Sequence, residues 1–174
     1  VFYSLQRSAL FQAHGITADM RINSESAARK KRKVLAGTYE VSLSDIYREL
    51  LPQADETLIG QAVDAEVSCE IAHGFIYEPV ARLIRRAHQR GLRTIVVSDT
   101  YLSSAQLRHM LSELMGEDCG LIQQIHCSSE AGKAKTTGIW PEILRRENRQ
   151  PHQLFHLGDN RHADQEAPAR LGIG

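Results

Sequence analysis

The stretch of sequence that decides the fold lies near the C-terminal end and reads Leu154-Phe155-His156-Leu157-Gly158-Asp159-Asn160-Arg161-His162-Ala163-Asp164. A short apolar run that stops at Gly158 and Asp159 predicts a buried parallel strand ending at the carboxyl edge of a sheet. Open α/β sheets bind their ligands at that edge. Asp164, near the start of the next apolar segment, is expected to face the same crevice, and two such carboxylates suit Mg²⁺. The alternative is a surface turn followed by a helix-capping aspartate.

Length and composition are those of an ordinary globular chain. The 174 residues are 42% hydrophobic and 24% charged, which allows one core or a core with a small appended domain. Lysine plus arginine balances aspartate plus glutamate, 21 against 21, so no overall field attracts nucleic acid or an anionic membrane. We therefore expect neither as a partner.

Cysteine usage and hydropathy predict a cytoplasmic protein. The cysteines Cys69, Cys119 and Cys127 are odd in number and lack a framework spacing, which is typical of free thiols in a reducing compartment. No apolar run approaches the roughly 18 residues of a membrane span, and no signal-peptide pattern opens the chain. The sequence begins with Val1 rather than methionine, so we expect a longer parent protein.

Residues 1–75 contain no convincing strand and predict a small helical bundle. Helical spacing of apolar residues predicts helices up to Gly15, over 24–36, from Ser42 onward and over 55–73. The helix that follows Ser42 has a start typical of a capping box.

A run of five basic residues lies within the second predicted helix and reads Arg29-Lys30-Lys31-Arg32-Lys33. Such a run is also compatible with a nucleic-acid patch. It has no interleaved aromatic residues and belongs to a chain of zero net charge, so we favour a solvated helix face.

From residue 76 onward, helices and strands alternate. The β-branched run Thr94-Ile95-Val96-Val97 predicts one strand, residues 121–127 hold the next, and the third precedes Asp159. Strands separated by helices imply right-handed crossovers and a parallel sheet between two helical layers. The predicted fold class is therefore α/β, with a three-layer parallel sheet.

Polar residues follow each predicted strand. Ser98 ends the first strand, Lys133 and Lys135 come shortly after the second, and Asp159 follows the third. Because parallel strands end at one edge, these groups are expected to converge. A hydroxyl, an ammonium and carboxylates for a divalent cation together form a phosphoryl-binding set.

These segments resemble motifs of the haloacid dehalogenase superfamily of phosphohydrolases. In that resemblance Ser98 binds phosphoryl oxygens, with Asp99 and Thr100 beside it in the substrate-binding loop. The motif lysine is assigned to Lys135, which directly precedes a predicted helix start, with Lys133 as the alternative. The motif acids are Asp159, a Mg²⁺ ligand, and Asp164, which supports it.

The resemblance implies an architecture and an activity. Residues 76–174 correspond to the Rossmann-like core, and residues 1–75 to a helical cap. The implied reaction is Mg²⁺-dependent hydrolysis of a small phosphorylated metabolite through an aspartyl phosphate. A narrower resemblance, around Val97-Ser98-Asp99-Thr100-Tyr101, is to capped hydrolases of bacterial polysaccharide biosynthesis, some of which lie beside glycosyltransferases.

The family motif that supplies the nucleophile is missing. That motif is an apolar strand ending in Asp-x-Asp-x-Thr, and the nearest segment here has Tyr101 in place of the second aspartate. We expect the missing strand to precede Val1 and to lie between the strands ending at Ser98 and Asp159. The chain alone is then expected to be inactive. The alternative is a non-catalytic module that binds a partner or a phosphorylated ligand.

Three other kinds of site fit the sequence less well. A P-loop at Gly132-Lys133 lacks its first glycine, and a dinucleotide motif at the C-terminus lacks its third glycine and its preceding strand. A zinc site formed by His152, His156 and His162 is possible on residue type alone. His156, however, is expected to pack inward from a strand.

Overall fold

The structure is a computed structural model that describes residues 1–174. Its α-helices and strands follow in the order α1 (Phe2–Leu5), α2 (Ala9–Ala13), α3 (Ala18–Ala36), α4 (Leu43–Leu50), α5 (Glu56–His73), α6 (Glu78–Gln89), β1 (Thr94–Ser98), α7 (Ser104–Met115), β2 (Ile122–Cys127), α8 (Ser128–Ala131), α9 (Ile139–Arg146) and α10 (Ala167–Ala169). Short 3₁₀ segments cover Gly116–Leu121 and Pro151–Gln153, and a π-helical turn covers Arg161–Glu166. No helix is both long and apolar enough to cross a membrane.

Helix starts in the first half follow their capping residues. The predicted capping box before α4 is present, because Ser42 Oγ accepts from Asp45 N and Asp45 Oδ2 accepts from Ser42 N. The helix predicted over 24–36 begins earlier, at Ala18, because the Thr17 side chain caps its first turn. The predicted first helix is divided into α1 and α2, since Ser8 caps a new start.

The helical half encloses a core of 13 buried residues, and this core extends into the α/β half through Leu102. Two hydrogen bonds also join the halves. Leu43 N donates to Tyr101 O at 2.8 Å, and Thr38 Oγ1 donates to Gly132 O at 2.8 Å. The loops that follow β1 and β2 are therefore fixed to the start of α4 and to the segment before it.

A buried ion pair lies inside the helical half. The Arg21 guanidinium donates from Nε and Nη2 to the two carboxylate oxygens of Glu66, at 2.7 Å each, and both side chains are 0% exposed. Tyr47 OH donates to the same carboxylate at 2.6 Å. Rings of Phe2, Tyr47 and Tyr101 surround the guanidinium at 5.0 to 5.6 Å. Burial, with the adjacent Glu66 charge, raises the pKa of Tyr47 far above its ordinary value.

The basic run lies on α3, and several of its cations have partners within the chain. Arg29 pairs with Glu25, Lys31 pairs with Glu49, and Lys33 donates to a backbone carbonyl at the end of the helix. This arrangement agrees with a solvated helix face.

β1 and β2 form a parallel pair with helices against both faces. Val97 pairs with His126, and Ser98 with Cys127. The Ile95 and Val97 side chains pack in the cluster around Trp140 of α9. Val96 packs in a second cluster that includes side chains of α6 and α7. The alternation of β1 side chains therefore places helices on opposite sides of the sheet.

The third predicted strand is not formed, so the sheet has two strands and the three-layer Rossmann-like sheet is not confirmed. Residues 154–157 pair with no strand, and their backbone bonds are His156 N to Gly174 O, Gly174 N to Leu154 O and the local bond Leu154 N to Pro151 O. Phe155 and Leu157 were expected to be buried but are 72% and 61% exposed. A strand exists only when a neighbouring strand lies within hydrogen-bonding distance, and none lies between β1 and this segment. The observed fold is a mostly helical α/β structure with a small parallel sheet.

Candidate functional site

The ends of β1 and β2 bring two of the predicted segments to one edge of the sheet. Ser98 is the last residue of β1 and is half-buried, and its register partner Cys127 is the last residue of β2. Residues 99–103 and 128–138, which contain most of the predicted site residues, both start from this edge.

Hydrogen bonds join the two loops to each other. Asp99 Oδ1 accepts from the backbone N–H of Lys135 at 2.9 Å. The backbone N–H of Thr100 donates to Ser128 Oγ at 3.0 Å. The Thr100 hydroxyl accepts from Leu102 N at 3.1 Å, so it completes a local turn. The loop after β1 is thereby set by the loop after β2.

Lys135 and Asp164 form the charged centre of the site. Lys135 Nζ donates to Asp164 Oδ1 at 2.5 Å, with the two side chains 12% and 3% exposed. His156 Nε2 lies 2.8 Å from the same oxygen, and Asn160 N donates to Oδ2 at 3.0 Å. Burial alone raises the pKa of Asp164, but these hydrogen bonds outweigh burial and lower the pKa to about 2.

The structure places the two candidate lysines differently. Lys135 reaches the buried Asp164, whereas Lys133 is exposed and its aliphatic chain passes near Gly138. Of the sequence-predicted residues, hydrogen bonds connect Asp99, Lys135 and Asp164 into one group. Ser98 lies next to this group in the chain, and no side-chain hydrogen bond joins Asp159 to it.

The carboxylates offer only part of a magnesium site. Asp159 is exposed and available, but both oxygens of Asp164 already accept protein hydrogen bonds. No group of three or more His, Cys, Asp or Glu side chains is placed to hold a metal ion. The zinc alternative is therefore wrong, since His156 faces Asp164 and His162 pairs with Glu166 at 3.2 Å. The exposed Asp159 carboxylate is of the ligand type that Mg²⁺ prefers, whereas Asp164 is engaged by protein donors.

Two residues of the site were not identified from the sequence. His156 was expected only to pack inward, yet its ring reaches the Asp164 carboxylate. Gly158 lies so close to Asp164 that a Cβ at this position would overlap the carboxylate group. The spacing indicates that both residues share a face, since alternate residues of an extended segment do so, but it does not indicate that this face meets Asp164.

Substitution of Gly158 by alanine is expected to destabilise the protein by about 1 to 3 kcal/mol, because the added methyl displaces a buried carboxylate. Urea unfolding at neutral pH measures this change. The matched control is Gly60→Ala in the second turn of α5, where a Cβ meets nothing within 4 Å. There the same change is expected to stabilise by about 0.5 to 1 kcal/mol. Equal effects at the two positions would contradict the close approach of Gly158 to Asp164.

Comparison with known proteins identifies the fold and leaves the activity open. No family model and no curated protein matches the sequence. The crystal structure of a 2-haloacid dehalogenase from Pseudomonas syringae pv. Tomato DC3000 is similar, with a TM-score of 0.64 and 14% sequence identity. The match covers 95% of this chain and 74% of that chain. The chain therefore has a fold similar to that of a haloacid dehalogenase.

Proposed function

We propose that this chain belongs to a Mg²⁺-dependent phosphohydrolase that acts on a small phosphorylated metabolite. The observation that carries the proposal is the Lys135 ammonium, held by buried Asp164 beside the loop that starts at Ser98. A fixed cation at the carboxyl edge of a parallel sheet, next to a hydroxyl and backbone N–H groups, suits a phosphoryl group.

Each residue has a role in this proposal. The Ser98 hydroxyl, the Asp99 backbone N–H and the Thr100 hydroxyl would bind phosphoryl oxygens, and Lys135 would neutralise their charge, with Lys133 as an outer cation. Asp159 would bind Mg²⁺, and Asp164 would support the site. When bound, Mg²⁺ supplies further neutralisation of charge on the phosphoryl oxygens.

The nucleophile in this proposal is a carboxylate on a strand that lies outside residues 1–174 and enters between β1 and residues 154–157. Support comes from the packing, because Ile95, Val97 and Leu154 all contact the cluster around Trp140. No backbone hydrogen bond joins β1 to residues 154–157, so the edge of β1 that does not pair with β2 is left without a partner. The Trp140 Nε1–H is also the one buried side-chain polar atom without a partner.

The proposed reaction has two displacements. The carboxylate attacks phosphorus, the bond from phosphorus to the metabolite oxygen breaks, and that oxygen takes a proton from a general acid. Water, after losing a proton to the same group, then attacks the acyl phosphate. This step releases inorganic phosphate and regenerates the carboxylate.

The test is hydrolysis of p-nitrophenyl phosphate by the full-length protein, with Mg²⁺ and with EDTA. Activity is expected only with Mg²⁺, and Asp159→Asn is expected to lower kcat/KM by about 100-fold or more. Asp64→Asn, at an exposed position of α5, is the control and should leave turnover unchanged. Unchanged turnover in Asp159→Asn would remove the metal assignment. Phosphate binding without turnover would favour the non-catalytic module.

A further inference from the structure

His156 occupies a position set by packing and by the backbone. Its backbone N–H donates to Gly174 O at 2.7 Å, which fixes the chain at this point. Its ring meets the buried Trp140 edge to face, with centroids 4.7 Å apart and planes inclined by 69°. The imidazole is therefore held from two directions before any contact with the site is considered.

The polar end of this ring meets the centre of the site. His156 Nε2 lies 2.8 Å from Asp164 Oδ1, the same oxygen that accepts from Lys135. The 2.8 Å contact requires Nε2 to carry the proton, because the carboxylate is an acceptor only. One oxygen thus receives a rigid donor and a flexible one.

The two donors differ in how well they can orient a carboxylate. Lys135 ends a chain of four methylene groups, which rotates freely unless its tip is fixed. The imidazole is planar and packed against Trp140, so its Nε2–H points in one fixed direction. Sharing Oδ1 between two donors also leaves Lys135 less completely neutralised than in an exclusive pair, so more of its charge remains for an anion.

We propose that His156 is a positioning residue of the phosphoryl site, which orients the Asp164 carboxylate and through it the Lys135 ammonium. The expected effect on phosphoryl binding rests on the proposed function. The expected effect on the placement of the Lys135 ammonium does not. Nothing in the proposed reaction requires His156 to contact the substrate or to exchange a proton.

A matched pair of variants tests the proposal in the full-length protein. Glutamine carries its amide nitrogen about as far from the backbone as Nε2 of histidine, so His156→Gln can still donate to Asp164. Asparagine carries the same amide one methylene shorter and falls short. Both are polar and neutral, so a purely structural role would affect the two alike. Circular dichroism and thermal unfolding check that both fold.

The first readout does not involve turnover. In ¹⁵N spectra of lysine side chains, the hydrogen-bonded Lys135 ammonium is expected to give a slowly exchanging signal in wild type and His156→Gln. In His156→Asn this signal should be lost. A Lys135 signal that persists in His156→Asn would overturn the proposal.

The second readout is phosphoryl affinity, measured as inorganic phosphate binding and as kcat/KM for p-nitrophenyl phosphate. His156→Asn is expected to weaken both by about 10- to 100-fold, and His156→Gln to restore both to within about 3-fold of wild type. Equal values for the two variants would also overturn the proposal. A wild type that neither binds nor hydrolyses phosphate refutes the proposed function, and the lysine spectra then still decide the role of His156.

Discussion

Replacement of Glu66 by glutamine is expected to lower the free energy of unfolding by about 3 to 5 kcal/mol, because the change leaves the Arg21 guanidinium buried without its counter-ion. Both side chains are 0% exposed, so water cannot solvate the charge that remains. The amide oxygen of glutamine can replace one carboxylate oxygen as an acceptor, but its NH₂ group would then face another donor. Chemical denaturation at pH 7 measures the loss.

The control for this variant is Glu25→Gln. Glu25 is the second carboxylate near Arg21, at 3.4 Å, but its side chain is 25% exposed. Water can replace much of this interaction, so the expected loss is below about 1 kcal/mol. A loss in Glu66→Gln no larger than in Glu25→Gln would contradict the buried pair. In Glu66→Gln a further Tyr47→Phe change should cost less than in wild type, since the phenol has then lost its charged acceptor.

Asp164→Asn is expected to destabilise the metal-free protein by about 2 to 3 kcal/mol at neutral pH, with an effect that disappears in acid. The pKa of Asp164 is lowered from 3.8 to about 2, because the hydrogen bonds from His156, Lys135 and the Asn160 backbone outweigh burial. A carboxyl group with a lowered folded-state pKa stabilises the protein above its unfolded pKa. This contribution is lost as the pH falls from about 4 through about 2.

Urea unfolding of wild type and Asp164→Asn in EDTA, at several pH values between 7 and 2.5, measures the difference directly. The difference should stay constant down to about pH 4 and then shrink. Asp64→Asn, exposed on α5, serves as the control and should show little difference at any pH. A difference for Asp164→Asn that is as large at pH 2.5 as at pH 7 would contradict the lowered pKa.

Local sequence signals predicted much of the helical half and of β1 and β2. The Ser42 capping box and the β-branched run into Ser98 specify structure through their own neighbours, so they were identified without tertiary information. Residues 154–157 were not predicted correctly, because an apolar run becomes a strand only when a pairing partner is present. The exposure of Phe155 follows from the same missing partner.

The candidate site was predictable in its residue types and not in its contacts. Sequence order indicated that Lys135 and Asp164 approach each other, but 29 positions separate them, and no periodicity encodes a shared oxygen. His156 was hidden because a histidine in an apolar run has the same signature whether it fills a core or meets a carboxylate. The choice between Lys133 and Lys135 likewise required coordinates, since both lysines follow β2 within a few residues.

The hydrogen bonds from Leu43 to Tyr101 and from Thr38 to Gly132 have a consequence for access to the crevice. A helical half that swung away as a rigid gate would have to break both bonds and pull on the loops that follow β1 and β2. Opening would then disturb the two loops of the proposed phosphoryl site, so ligand entry and the ordering of these loops would be coupled. Slow amide exchange at Leu43 would report that its bond to the Tyr101 carbonyl stays closed.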